Sequence, residues 1–262
     1  MDFTLKIYQQ FLQSLKKAGY TFITFEEYCE GKIPEKFVML RHDVDLRARH
    51  SLATAQVESS LGIRASYFFR VVPQSNQPDK IMAIAALGHE IGYHYEDLSL
   101  FKGDKAASIA HFEEQLTHFR QFYPVRTVCM HGSPTSRYDN RDLWRNYDYR
   151  DYGIIGEPYF DVDFEKVFYL TDTGRCWDGD KYSVRDKVKS SFTQSYHATS
   201  DIINAAKNGT LPEKMMITTH PQRWSDNKAE WLLEWVMQNV KNMLKRIIYI
   251  NPDYTFRRNR FR

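Results

Sequence analysis

Apolar residues return every third or fourth position over residues 4–18, so that Leu5, Tyr8, Phe11, Leu12 and Leu15 share a face. That spacing predicts an amphipathic helix, with Gly19 as its stop. A short extended piece is expected at 20–24. Residues 37–40 read as an apolar strand running into Arg41-His42-Asp43-Val44-Asp45. The pattern then alternates: helix 48–61 closed by Gly62, strand 65–69, helix 79–87 closed by Gly88, and strand 90–93 entering His94. Helix 105–122 carries Ile109, Phe112, Leu116 and Phe119 on one side, and strand 127–130 ends at His131. Further strands are expected at 152–155 and 167–171, a helix at 199–207, a strand at 215–219 ending at His220, and a long helix at 228–247.

Strands alternating with helices imply parallel βα units, about seven of them. No Gly-, Ser- or Pro-rich linker divides the chain, so residues 1–262 read as one domain. Within it, 1–36 form a lead-in and 37–250 the barrel, and the helical signal fades over 132–198. Asp43, Asp45, His94, His131 and His220 all fall at or just past the C-terminal ends of expected strands. In parallel α/β folds that rim gathers the active site.

Two carboxylates one residue apart on a strand point the same way and repel unless a cation or a shared proton relieves them. A divalent metal answers this, one carboxylate binding the ion and the other acting as base beside it. Imidazole and carboxylate together suit Zn and other first-row ions. His220, from a separate strand, could serve as general acid. His42 alternates with Asp43 and should point away from it, while His50, His89, His111, His118 and His197 lie away from the expected rim.

Composition narrows the setting. The 42% hydrophobic content supports a packed core, and the aromatic 15% suits a wet cleft with apolar walls. A net charge of +3, with basic residues scattered except for Arg257, Arg258, Arg260 and Arg262, does not indicate a nucleic-acid partner. Cys29, Cys129 and Cys176 are far apart and lack CxxC spacing, as expected of reduced thiols in a cytoplasmic protein. There is no signal-like start and no apolar run long enough to span a bilayer. The helix at 228–247 could pack on a second copy as readily as on the barrel, which leaves a homo-oligomer open.

The segments LGIRASYFFR at 61–70 and IMAIAALGHEIGYH at 81–94 nearly match stretches of a known family. On them the chain resembles the polysaccharide deacetylases of the NodB-homology, carbohydrate esterase 4 type, over roughly residues 37–250. The resemblance implies a distorted (β/α)7 barrel. It also implies roles. The family's Thr-Phe-Asp-Asp-Gly motif supplies a base and then a metal ligand. Here Asp43 aligns as the base, and Asp45, displaced by one residue, takes the ligand's place. In the His-Ser/Thr-X-X-His motif His94 matches the first ligand, but Leu98 stands where the second should be. Glu96, Asp97 or His131 could supply a third ligand, and His131 is favoured because it arrives from a neighbouring strand end. The Arg-X-X-Pro-Tyr motif falls at 130–134, where only Pro134 is kept and His131 stands in place of Arg. Residues 171–177 correspond to the fourth motif, so that Asp172, Arg175 and Trp177 would orient the base and line a substrate pocket. The strand ending in His220 matches the last motif and its general acid.

The Arg-His-Asp-Val-Asp form resembles deacetylase-like proteins of surface-polysaccharide gene clusters, which implies a cytoplasmic step on a sugar precursor. The leading expectation is therefore a Zn-type metal hydrolase removing an N- or O-linked acetyl group. The missing second His keeps open a metal-independent C–N hydrolase. Departures in the second and third motifs keep open a carbohydrate-binding relative without catalysis.

Overall fold

The computed structural model describes residues 1–132, 136–178 and 187–250, the last six of these by backbone alone. Pro134 and the four arginines beyond residue 256 lie outside the described residues. Seven strands form one sheet in the order β5-β4-β3-β2-β7-β6, with β1 beside the start of β2. They are β1 Thr21–Ile23, β2 Phe37–Val44, β3 Ser66–Phe69, β4 Glu90–Tyr95, β5 Val128–Met130, β6 Phe168–Thr171 and β7 Lys214–Thr219. Every pairing is parallel.

Side-chain alternation along β2 separates two cores. Val38, Leu40 and Val44 pack beneath the helices, with Tyr8, Phe11 and Leu15 of α1 (Leu5–Lys17) in the same cluster. Phe37 and Met39 point the other way. They join Ile23 of β1, Phe68 of β3, Cys129 of β5 and Met216 of β7 in a second cluster. Residues from so many strands can share one small core only if the sheet curls around it, and the result is the expected distorted (β/α)7 barrel. Gly92 of β4 faces this interior, and a Cβ there would stand 2.4 Å from the Phe68 ring. A larger residue would collide with the packing that lets the sheet curl.

The helices follow the expected segments closely: α3 Ala48–Ser60, α4 Pro78–Ala86, α6 Lys105–Phe119, α8 Thr199–Lys207 and α9 Lys228–Ile250. Short α2 Phe25–Cys29, α5 Asp97–Leu100 and α7 Pro158–Asp161 escape sequence periodicity because each is about one turn long. β1 occupies the extended piece expected at 20–24 and pairs with β2. One difference from expectation concerns a strand. Residues 152–155 do not form a strand. Asp148 caps a 3-10 turn at Tyr149–Tyr152, Gly153 closes it at φ 72°, and only the Thr127–Gly156 bridge remains of the pairing.

One contact set on the helix side fixes the end of β2 that carries Asp43. His42 is stacked on Tyr67 with ring centres 4.2 Å apart. Its Nε2 lies 2.7 Å from Glu58 Oε1 and its Nδ1 2.7 Å from Thr219 Oγ1. Glu58 of α3 also accepts from Tyr8 and Tyr67 hydroxyls. A buried carboxylate costs little once several donors face it, and this one ties β2 to β3, β7, α1 and α3. His42 therefore points away from the barrel interior, as the alternation required.

Candidate active site at the C-terminal rim

β2 keeps its pairing with β3 through Val44. Arg41 and Asp43 therefore share the inward face with Met39, and Asp45 follows one step beyond the strand. β4 presents His94 on the same side, β5 leads into His131, and β7 into His220. The five residues expected at one rim are brought together there. Asp45 Oδ1 stands 3.8 Å from His94 Nε2 and 3.4 Å from His131 Nε2, and Asp45 Oδ2 stands 3.9 Å from His220 Nε2. Asp43 Oδ2 lies 3.7 Å from His94 Nε2.

Each imidazole is oriented through its other nitrogen. His94 Nδ1 is 2.9 Å from the carbonyl oxygen of Cys129, an acceptor only, so the proton sits on Nδ1 and the Nε2 lone pair faces the rim. Burial foremost, with His131 beside it, pushes the His94 imidazolium form well down, so the ring is neutral. His131 Nδ1 meets Glu96 Oε2 at 3.0 Å. Arg70 in turn grips Glu96 with a two-pronged pair at 2.7 and 2.8 Å. Burial works against the Glu96 carboxylate, but His131 and Arg70 prevail and hold it at about 2. Glu96 thus stands behind His131 as its orienting partner. Asp97 is committed to the Tyr93 hydroxyl and His111. Leu98 is buried on α5.

Asp43 is gripped by Arg41, with Nε at 2.8 Å and Nη2 at 2.6 Å, and both side chains are buried. Sequence reasoning assigned Arg41 no role, although an Arg two residues before an Asp on one strand must share its face. The pair occupies both oxygens of Asp43.

Asp172 stands behind His220. Its Oδ1 accepts from His220 Nδ1 at 2.6 Å and Arg223 Nη1 at 2.5 Å. Its Oδ2 accepts from the His220 backbone N–H at 3.0 Å and Trp224 Nε1 at 2.9 Å. A carboxylate only accepts, so His220 Nδ1 carries a proton. Its 2.9 Å approach to Arg223 is two donors around one acceptor. Burial and Arg223 act against charge on His220, but Asp172 outweighs them and holds the imidazole above its ordinary value.

The three residues expected to bind substrate are placed elsewhere. Asp172 has no exposed surface, and four donors fill its oxygens. Trp177 is buried against Phe11 and Trp224, its indole N–H donating to Thr199. Arg175 stacks over Phe3 and Trp231 and donates to the Trp231 carbonyl. Asp172 acts on His220 from behind, Trp177 packs into the core against Phe11 of α1 and Trp224, and Arg175 packs Phe3 and α9.

Among the described residues, two sets of side chains converge closely enough to hold an ion: Asp45 with His94 and His131, and Asp43 with His94 and Cys129, each within 4.8 Å. The first fits better. Asp45 Oδ1 is buried with no hydrogen-bond partner, a costly state for a carboxylate oxygen unless a cation meets it. Asp43, by contrast, already has its cation in Arg41. Burial raises Asp45, yet His131, His220 and His94 together bring it below the usual carboxylate range.

Neither a protein-family model nor a curated protein sequence matches the chain. Among solved structures, a CE4 family pseudoenzyme from Bacillus anthracis is similar at 10% identity and TM-score 0.46, over 79% of this chain and 62% of that one. The chain thus spans less than two thirds of that relative's length. A family 4 carbohydrate esterase from Streptomyces lividans, in complex with acetate, is similar at 15% identity and TM-score 0.42, over 79% and 90%. A peptidoglycan deacetylase from Bacillus subtilis is similar at 10% identity and TM-score 0.36, over 82% and 98%.

Proposed function

We propose that the chain is a carbohydrate deacetylase that removes an N- or O-linked acetyl group from a sugar precursor, with a divalent ion, Zn by ligand chemistry, held by Asp45, His94 and His131. The observation that carries this reading is the partnerless buried Oδ1 of Asp45, faced by two imidazole Nε2 atoms whose other nitrogens are already committed. The carbohydrate itself is supported by the sequence resemblance. A bound ion would polarise the acyl carbonyl and acidify water at the rim.

Asp43 is the general base in this reading. Arg41 grips its carboxylate and leaves it against His94, where it would take a proton from water activated at a bound ion. His220 is the general acid. Asp172 keeps its Nδ1–H in place and favours the imidazolium, so that Nε2–H can protonate the departing sugar oxygen or nitrogen.

Calorimetric titration with Zn, paired with release of acetate from acetylated sugars, tests the reading. One high-affinity equivalent is expected, abolished by Asp45→Asn and retained by Asp43→Asn, with turnover lost in both. Turnover that survives chelation would move the chain to the metal-independent C–N hydrolase reading. Zn binding with no turnover on any acetylated sugar would leave a binding protein.

A further inference from the structure

His131 leaves the sheet at its edge. Among the described residues, β4 is the one strand paired with β5, so the other side of β5 is met by loops and side chains. The Val128 N–H reaches the Gly156 carbonyl at 3.1 Å, and the Met130 N–H reaches Glu157 Oε1 at 3.1 Å. Past the strand end, the His131 N–H still meets the Tyr95 carbonyl of β4 at 2.8 Å. The His131 carbonyl accepts from Asn140 Nδ2 at 2.7 Å. Backbone groups drawn away from water must be paired, and at the end of an edge strand a side chain does this.

Asn140 has no exposed surface. Its carboxamide fits one way round. Oδ1 accepts from the Ser99 N–H at 2.9 Å, a hydrogen shared with the Glu96 carbonyl at 3.0 Å. Turned over, its NH2 would face that donor and its oxygen would face the His131 carbonyl. Its own backbone is fixed, because Asp139 caps the 3-10 turn Asn140–Arg145 and Leu143 of that turn is buried in the core.

Ser99 belongs to α5 and follows Glu96, whose carboxylate holds His131 Nδ1. The 96–99 turn therefore grips His131 twice, by its ring directly and by its backbone through Asn140. Leu98 lies between the two grips, where the family resemblance implied a second histidine ligand. In place of a ligand of its own, the turn braces a histidine that comes from the next strand.

We propose that Asn140 is a positioning residue, a latch that fixes the His131 backbone so that Nε2 faces Asp45 and His94. The ligand role of His131 rests on the hydrolase reading, whereas the latch does not.

Zn affinity by chelator competition, paired with hydrogen exchange of the metal-free full chain, tests the proposal. Asn140→Asp keeps an acceptor for Ser99 and loses the donor to His131. Asn140→Leu keeps the volume and loses both. Each should weaken Zn binding about 10–100-fold. Each should also speed exchange at the His131 amide about tenfold, the worth of one intramolecular hydrogen bond, while β3 amides keep their wild-type rates. Leu15→Ala, in the core far from the rim, should lower the melting temperature and leave Zn affinity unchanged, which separates positioning from general loss of stability. Should neither Asn140 variant fold, wild type decides. Its Asn140 carboxamide protons should exchange about tenfold more slowly than those of exposed Asn208. Equal exchange at these two carboxamides, or variants that bind Zn as tightly as wild type, overturns the proposal. If wild type takes up no Zn, the hydrolase reading fails, and the His131 exchange rates alone uphold or overturn the latch.

Discussion

Asp172→Asn offers a direct test of how His220 is held. The wild-type carboxylate takes four donors, and the isosteric amide can accept at only one of its two terminal atoms. Whichever way it turns, its NH2 group faces either His220 Nδ1–H and Arg223 or the His220 backbone N–H and Trp224. The Asp172 carboxyl sits at about 2 against an ordinary 3.8 because Arg223 and His220 outweigh the cost of burying it. That gap corresponds to about 2 kcal/mol of native-state stabilisation. Leaving the Arg223 guanidinium without its counter-charge raises the expected loss to about 2–4 kcal/mol. For a chain of this size the thermal midpoint at pH 7 should fall by about 4–7 °C. The sign follows from a depressed acid. The stabilisation is complete above the unfolded carboxyl's 3.8 and disappears as pH falls through about 2, so the variant and wild type should converge there. Denaturant melts at pH 7 and at successively lower pH measure this. Turnover supplies a second readout, because His220 loses the group that raises it. The alkaline limb of the rate–pH profile should move to lower pH, and kcat should fall about 100-fold or more. A variant within about 0.5 kcal/mol of wild type at pH 7, with an unmoved pH profile, would refute the role given to Asp172.

Two further outcomes follow from buried charges. Burial pushes Glu90 up to about 7 despite donors from Ser66, Thr127 and the Glu26 backbone. Its contribution is therefore complete below the ordinary 4.5 and lost as pH rises through about 7. Glu90→Gln should gain up to about 3 kcal/mol on wild type at pH 8, with the advantage vanishing at pH 4; a urea midpoint difference equal at both pH values would contradict this. Arg41→Met leaves Asp43 buried without its cation, which should cost about 3–5 kcal/mol. Turnover should collapse while Zn affinity stays near wild type, and a loss of Zn affinity matching that of Asp45→Asn would show that Arg41 supports the ligands instead.

Most of the elements were legible because each long helix and interior strand repeats its apolar positions for several turns or pleats. The rim was legible for a related reason. Asp43, Asp45, His94, His131 and His220 fall within three residues of an apolar strand run, and parallel strands deliver their ends to one place. Tertiary partners were harder to read. Asp172, Arg175 and Trp177 look alike in sequence, three functional side chains in one polar loop. Only the packed structure separates a carboxylate behind His220 from a guanidinium stacked on Trp231 and an indole in the core. Arg41 was missed although its spacing from Asp43 announced it. The starts of α2 and α7 and the failed strand at 152–155 were decided by local residues, Thr24, Glu157, Asp148 and Gly153, whose influence periodicity does not register.

The order of strands in the sheet has a mechanical consequence. β5 and β6 are its two ends and are not paired with each other. His131 follows β5 and Asp172 follows β6, while Asp45 stands between them at the end of the middle strand. The rim is thus a clasp drawn across the gap of an open hoop. Its width is set by the bending of the whole ribbon, so a change of packing inside the hoop, such as a bulkier residue at Gly92 against Phe68, would alter the span between His131 and His220 without touching either.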